Sequence, residues 1–315
     1  MQGVSAGGEM GGAVLIGMEH APKRRRGLMG SWAAAGAPAG VTLATLVFLA
    51  LSPLSPDAFL SWGWRVPFFA SALVVCIGLF IRLRLAESPE FAEAEATGAT
   101  IRLPIVEVVR GYWREVLVTA GMSLGANTTS YLLATFLLYY WAVELGLPRG
   151  QFLIATAVGT FAMTAGEPLF AALSDRVGRR VVMIGGAGFT ALFTFAWFPV
   201  LEIRGPLLMA IMLVVAFAGV APLAGPMGAG IAELFPTRVR YSGSSVGYQL
   251  GATIGGGPAP VLATSLLLTG GTTTVAVYVF VTAAISLGCV LMLQQTSHDN
   301  AAGPATTAAA EWGLR

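Results

Sequence analysis

The sequence predicts an all-α polytopic membrane protein, and three observations predict it. Charged residues are 11% of the 315 positions, against about 25% in soluble proteins, and 56% are hydrophobic. Apolar runs long enough to cross a bilayer recur along the chain, separated by polar links. The basic residues collect in alternate links, the bias expected of cytoplasmic loops.

The first run, Gln2–Met18, is short for a span and is interrupted by Glu9. Its Gly7-Gly8 and Gly11-Gly12 form overlapped small-xxx-small pairs that permit close helix approach. The densest basic cluster, Lys23 to Arg26, follows. Leu28–Leu51 carries Gly30, Gly36, Gly40 and Pro38, which predict close packing and a kink. After a loop with Trp62 and Trp64, suited to an interfacial belt, Arg65–Leu83 is the third run. Arg82 to Arg114 is a long polar stretch that reads as a cytoplasmic linker, with amphipathic helix around Ile101–Arg110. Six runs follow: Val116–Val143, Phe152–Leu173, Val181–Leu201, Leu207–Ala232, Ser244–Leu268 and Val275–Leu293. Gly255-Gly256-Gly257-Pro258 predicts a break inside the fifth of these. The tail after Gln294 is too poor in apolar residues to pack and is expected to be disordered.

About nine spans result, divided as 1–83, a linker 84–115, a six-helix unit 116–293 and a tail 294–315. Of the 18 basic residues only Arg65, Arg149 and Arg204 fall on the side opposite the others, which puts the C-terminus in the cytoplasm of a cell-membrane protein. The same count puts Met1 outside with no basic n-region or cleavage pattern before it, so further chain is expected upstream. Cys76 and Cys289 both lie in apolar runs and read as packing residues. His20 and His298 are the only histidines, so no metal site is expected, and the dispersed arginines do not make a nucleic-acid patch. Gly186-Ala187-Gly188-Phe189-Thr190-Ala191 mimics a dinucleotide fingerprint but lies in a spanning run with no strand before it.

One short link, Ser174-Asp175-Arg176-Val177-Gly178-Arg179-Arg180, preceded by Ala172-Leu173, resembles the charged loop signature of the major facilitator superfamily. Further stretches are similar to that family's metabolite:proton symporter branch, which includes organic-acid, shikimate and proline/betaine transporters. They are Gly7-Gly8-Glu9-Met10-Gly11-Gly12-Ala13 with Glu19-His20-Ala21-Pro22, Trp62-Gly63-Trp64-Arg65-Val66-Pro67-Phe68, Glu87-Ser88-Pro89-Glu90-Phe91, and Glu233-Leu234-Phe235-Pro236-Thr237-Arg238-Val239-Arg240 continuing through Tyr241-Ser242-Gly243 to Gly247-Tyr248-Gln249. Met10 departs from the tryptophan usual there. The resemblance implies an incomplete major facilitator fold, with these spans equivalent to helices 4–12. It also implies a monomer with a small-molecule substrate, no cofactor, and a proton as coupling ion.

Candidate site residues follow from polarity inside apolar runs. Glu9 is an acid within a span, where a charge costs about 2.5 kcal/mol or more, so it should face protein or water and serve proton or substrate. Ser123, Asn127, Tyr131 and Thr135 recur every four residues and share one helix face, giving Asn127 and Tyr131 as cavity candidates. The sequon Asn127-Thr128-Thr129 is not expected to be used inside a span. Tyr248 and Gln249, just before the predicted break, are the matching candidates later in the chain. Glu167, two turns before the charged loop and beside Pro168, reads as structural, answering a carbonyl freed by the proline. Asp175, Arg176 and Arg180 read as a conformational latch with Glu233 and Arg238 as partners, as the resemblance implies.

Three functions compete. The first is a secondary transporter of a small polar metabolite, an organic acid or zwitterion, by proton symport. The second is a truncated fragment of such a transporter that is inactive alone. The third is a membrane enzyme, for which no nucleophile–base pair or ligand set is visible.

Overall fold

The computed structural model describes residues 2–84 and 104–293. Most of the predicted linker and the whole tail lie outside the described residues, as do the side chains of Glu9 and Arg238.

Every predicted run coincides with helix. Helix α1 covers Gln2–Glu19 and, after a 3-10 turn at Lys23–Arg25, α2 covers Arg26–Leu51. Helix α3, Pro56–Ser61, is a short loop helix capped by Ser55, whose Oγ accepts from the Ala58 amide at 3.3 Å. Then come α4 (Val66–Arg84) and α5 (Pro104–Gly111), which overlaps the predicted amphipathic stretch. Helix α6, Trp113–Tyr131, continues through π turns at Leu132–Phe136 and Tyr140–Glu144. Helices α7 (Arg149–Val177), α8 (Arg179–Glu202), α9 (Pro206–Ala232) and α10 (Thr237–Gly256) follow. The predicted break falls between α10 and α11, Ala259–Leu291, and α11 is itself interrupted at Gly271 (φ 74, ψ −170). The stretch Val239–Leu291 therefore makes two crossings.

Among the described residues six helical stretches are long and apolar enough to span a membrane: Arg26–Leu51, Gly63–Phe80, Arg149–Val177, Arg179–Glu202, Pro206–Ala232 and Val239–Leu291. Helices α1 and α6 are more polar and are held by neighbours. Helix α6 packs between α10 and α11, and α1 lies against α2 and α10. Glycine makes these approaches possible. A methyl on Gly251 would overlap the Ala120 carbonyl of α6, and one on Gly225 of α9 would overlap the Glu167 carbonyl of α7. Gly186, from the false dinucleotide fingerprint, is a packing residue against Pro222 and Leu223.

The main core runs through α6–α9 and α11, where Trp141, Trp197, Phe136, Phe152 and Phe217 are fully buried. A smaller cluster of Val14, Leu15, Met18, Ala229 and Ala232 joins α1 to α9. In α2 the glycines divide. Gly30 sits against Met18 and Val14, whereas Gly36 and Gly40 have no neighbour within 4 Å, contrary to the expectation of close packing at all three. Pro38 lies inside α2, which remains one helix through it.

Candidate functional site

Two polar constructions lie on α7. The first is at its end. Gly178 adopts φ 97°, a conformation that side chains other than glycine's resist, so α7 stops at Val177 and α8 starts afresh at Arg179. Asp175, in the last turn of α7, stands at the negative end of its own helix dipole. It is rewarded elsewhere: Oδ1 accepts from the Gly27 amide and Oδ2 from the Leu28 amide, each at 3.0 Å. These are two of the unpaired N–H groups at the start of α2, where an anion is favoured. Asp175 thus caps a helix more than a hundred residues earlier in the chain.

Arg179 completes the assembly. Its Nη2 lies 3.8 Å from Asp175 Oδ1, and its Nη1 pairs with Glu233 at the end of α9. The expected arginines are not the pairing ones. Arg176 is exposed, and Arg180 Nε is buried without a hydrogen-bond partner. Arg176, one step after Asp175 on α7, is turned about 100° away from it, whereas the Gly178 turn restarts the chain so that Arg179 at the first position of α8 lies beside Asp175. The side chain of Arg238 lies outside the described residues. Asp175 and Glu233 therefore take part in the cluster as expected, with Arg179 in place of Arg176 and Arg180.

The second construction is a cavity of about 470 Å³ lined by α1, α2, α6, α7, α9 and α10. Apolar residues such as Val14, Phe217 and Met227 form much of its wall. Its polar lining comes from three helices: Asn127, Ser130, Tyr131 and Thr135 on α6, Thr160 and Glu167 on α7, and Ser244, Ser245 and Tyr248 on α10. Of the residues expected there, Asn127, Tyr131 and Tyr248 line it. Gln249 is not among the lining residues, because one step along α10 turns a side chain by about 100°. The polar stripe of α6 also divides. Ser123 Oγ lies 3.2 Å from both the Ala120 and Tyr248 carbonyls and helps tie α6 to α10. Asn127 Nδ2 donates to the Ser123 carbonyl at 2.8 Å and its side chain also bonds Tyr248. Across the cavity the hydroxyls of Thr42 and Thr160 are 2.7 Å apart and join α2 to α7.

Glu167 departs most from expectation. It is 1% exposed, lines the cavity, and its Oε2 has no hydrogen-bond partner. Among the described residues its Oε2 therefore does not answer a proline-freed carbonyl, the contact expected of it. The signal was present in the spacing, since Thr160, Met163 and Glu167 follow one helix face and all three line the cavity. Among the described residues no cluster of His, Cys, Asp and Glu is placed to hold a metal.

A bundle of spanning helices around a polar-lined internal cavity, with a charged clasp across the helix ends, is the architecture of a membrane transporter. The chain belongs to the major facilitator superfamily, whose description matches residues 1–260 and again 121–313. It is 35% identical over 305 residues to the inner membrane metabolite transport protein YhjE of Escherichia coli (strain K12), covering 95% of this chain and 69% of that protein. It is 34% identical to the shikimate transporter of the same organism, with 94% and 69% covered, and 30% identical to its proline/betaine transporter, with 98% and 64% covered. Among solved structures, the D-xylose-proton symporter superposes with a TM-score of 0.62 at 17% identity, over 89% of this chain and 65% of that one. These relatives are transporters and not enzymes, and the chain spans about two thirds of their length.

Proposed function

We propose that the chain serves as a secondary active transporter of a small polar metabolite, an organic acid or zwitterion, moved by proton symport with alternating access. The observation that carries this reading is the cavity at the meeting of α1, α2, α6, α7, α9 and α10, polar where those helices face one another and apolar elsewhere. Asn127, Tyr131 and Tyr248 bind substrate in it, with Glu9 and Gln249 on the same pathway. The clasp of Asp175, Arg179 and Glu233 holds the ends of α2, α7 and α9 together in one access state, and Arg176, Arg180 and Arg238 are its further candidate members. In this reading residues 1–83 form a partial bundle, 84–115 a cytoplasmic linker, 116–293 a second bundle and 294–315 a tail. The protein sits in the cell membrane as a monomer with its C-terminus in the cytoplasm.

The test is uptake by proteoliposomes under an imposed inward proton gradient, with labelled shikimate and glycine betaine as probes. No lysine, arginine or histidine lines the cavity among the described residues, so the zwitterion is the probe expected to accumulate. Uptake that is indifferent to the gradient overturns proton coupling. A second reading, that the 315 residues need further chain to transport, is favoured by the open faces of α2 at Gly36 and Gly40 and by the exposure of α4. It predicts no accumulation by this chain alone and is overturned if accumulation is seen.

A further inference from the structure

We propose that Glu167 is the residue that binds the coupling proton. The proposal rests on the proton-coupled reading above and adds to it the site where the proton resides.

The side chain is buried almost completely, and among the described residues its Oε2 has no hydrogen-bond partner and no salt bridge is formed. A carboxylate in that setting is among the least favourable groups a membrane interior can hold, and binding a proton removes the penalty directly. The neighbourhood offers no other remedy. Helix α9, which packs along α7, has no titratable residue, and the sole one on α2 is Arg26, at the end occupied by the clasp. Across the cavity the titratable lining groups are the phenols Tyr131 on α6 and Tyr248 on α10. The other charged groups of α6 and α10, Arg114, Glu115, Arg238 and Arg240, are near the starts of those helices. Helix α1, the remaining wall, carries Glu9 and Glu19.

The position also suits coupling. Glu167 follows Thr160 and Met163 along the face of α7 that looks into the cavity, and it precedes Asp175 of the clasp by about two turns of the same helix. A proton gained or lost at Glu167 thus acts on the helix that also carries the clasp. Coupling then requires that the carboxyl bind the proton in one access state and release it in the other, where water solvates the charged form.

The experiment is infrared difference spectroscopy of the purified full chain in lipid, titrated with pH, reading the C=O stretch of protonated carboxyl groups. The expected result is a titrating band in the native protein that is lost in Glu167→Gln and displaced in frequency in Glu167→Asp. The aspartate variant keeps the acid and so distinguishes loss of the proton site from loss of the fold. A band retained in Glu167→Gln, or no titrating band in the native protein, overturns the proposal. In proteoliposomes Glu167→Gln should lose gradient-driven accumulation while retaining exchange of glycine betaine across the membrane, and accumulation equal to native also overturns it. If the native chain transports neither probe, the transport reading fails, and the spectrum alone decides whether Glu167 binds a proton.

Discussion

Helix α7 carries two acids about two turns apart, and their surroundings could hardly differ more. Asp175 accepts two backbone hydrogen bonds at 3.0 Å and has Arg179 beside it. Glu167 is more deeply buried, yet among the described residues its Oε2 has no hydrogen-bond donor. The first acid is provided for as an anion and fastens three helix ends. The second is left without provision next to a cavity. A carboxylate that is fully satisfied in one conformation serves to stabilise that conformation, whereas an unsatisfied one is held ready for a ligand or a proton. The pairing of opposites on one helix separates structural charge from functional charge without appeal to any relative.

Four substitutions test that separation by unfolding in detergent micelles, in descending order of expected effect. Asp175→Ala removes two charge-assisted bonds and strands the first amides of α2, for an expected loss of about 3 kcal/mol. If it costs no more than an ordinary surface substitution, the capping role is wrong. Gly27→Ala places a methyl 2.5 Å from Asp175 Oδ1 and must push the carboxylate aside, with an expected loss of about 1–2 kcal/mol. Combined with Asp175→Ala it should add little, because both act through the same bonds. Arg179→Ala loses its pairing to Glu233, whose side chain is 41% exposed, so about 0.5–1 kcal/mol is expected, declining with added salt. Glu167→Gln is expected to change stability by less than about 0.5 kcal/mol or to raise it, since it deletes a carboxyl that no partner rewards. A large destabilisation by that last variant would mean that Glu167 is bound to something within the fold, and the contrast with Asp175 would collapse.

A second contrast concerns two helices that both suit a membrane. In α4 the side chains of Phe68, Phe69, Leu73 and Leu83 are each more than 60% exposed, whereas α7 buries Thr156, Thr160, Glu167 and Ser174. Both satisfy the requirement for a span. Hydropathy reports that a helix suits a membrane, but not whether lipid or protein covers it.

The sequence was most legible where its signal is local. Run lengths located the helices, because spanning needs a continuous stretch of apolar residues with its backbone bonds satisfied internally. Gly255-Gly256-Gly257-Pro258 announced the break before α11, since proline cannot continue the ladder and glycine holds it weakly. The face of α6 with Asn127 and Tyr131 was legible from its spacing of four. Gln249 does not line the cavity beside Tyr248 in this state, because adjacent positions on a helix point in different directions and polarity alone does not say which faces inward.

What the sequence determined by itself is therefore the class of protein, the number and order of its spans, and the charged link on which the family resemblance rests. These depend on composition and on short-range periodicity. The tertiary structure alone decided which groups meet. Gly27 and Leu28 are the partners of Asp175 only because α2 packs against α7, and Arg179 rather than Arg176 answers Glu233 only because Gly178 restarts the helix there. The same packing buried Glu167 on the cavity wall and left its Oε2 without a hydrogen-bond partner among the described residues. Desolvation depends on everything that surrounds an atom, and those surroundings come from helices far apart in the chain.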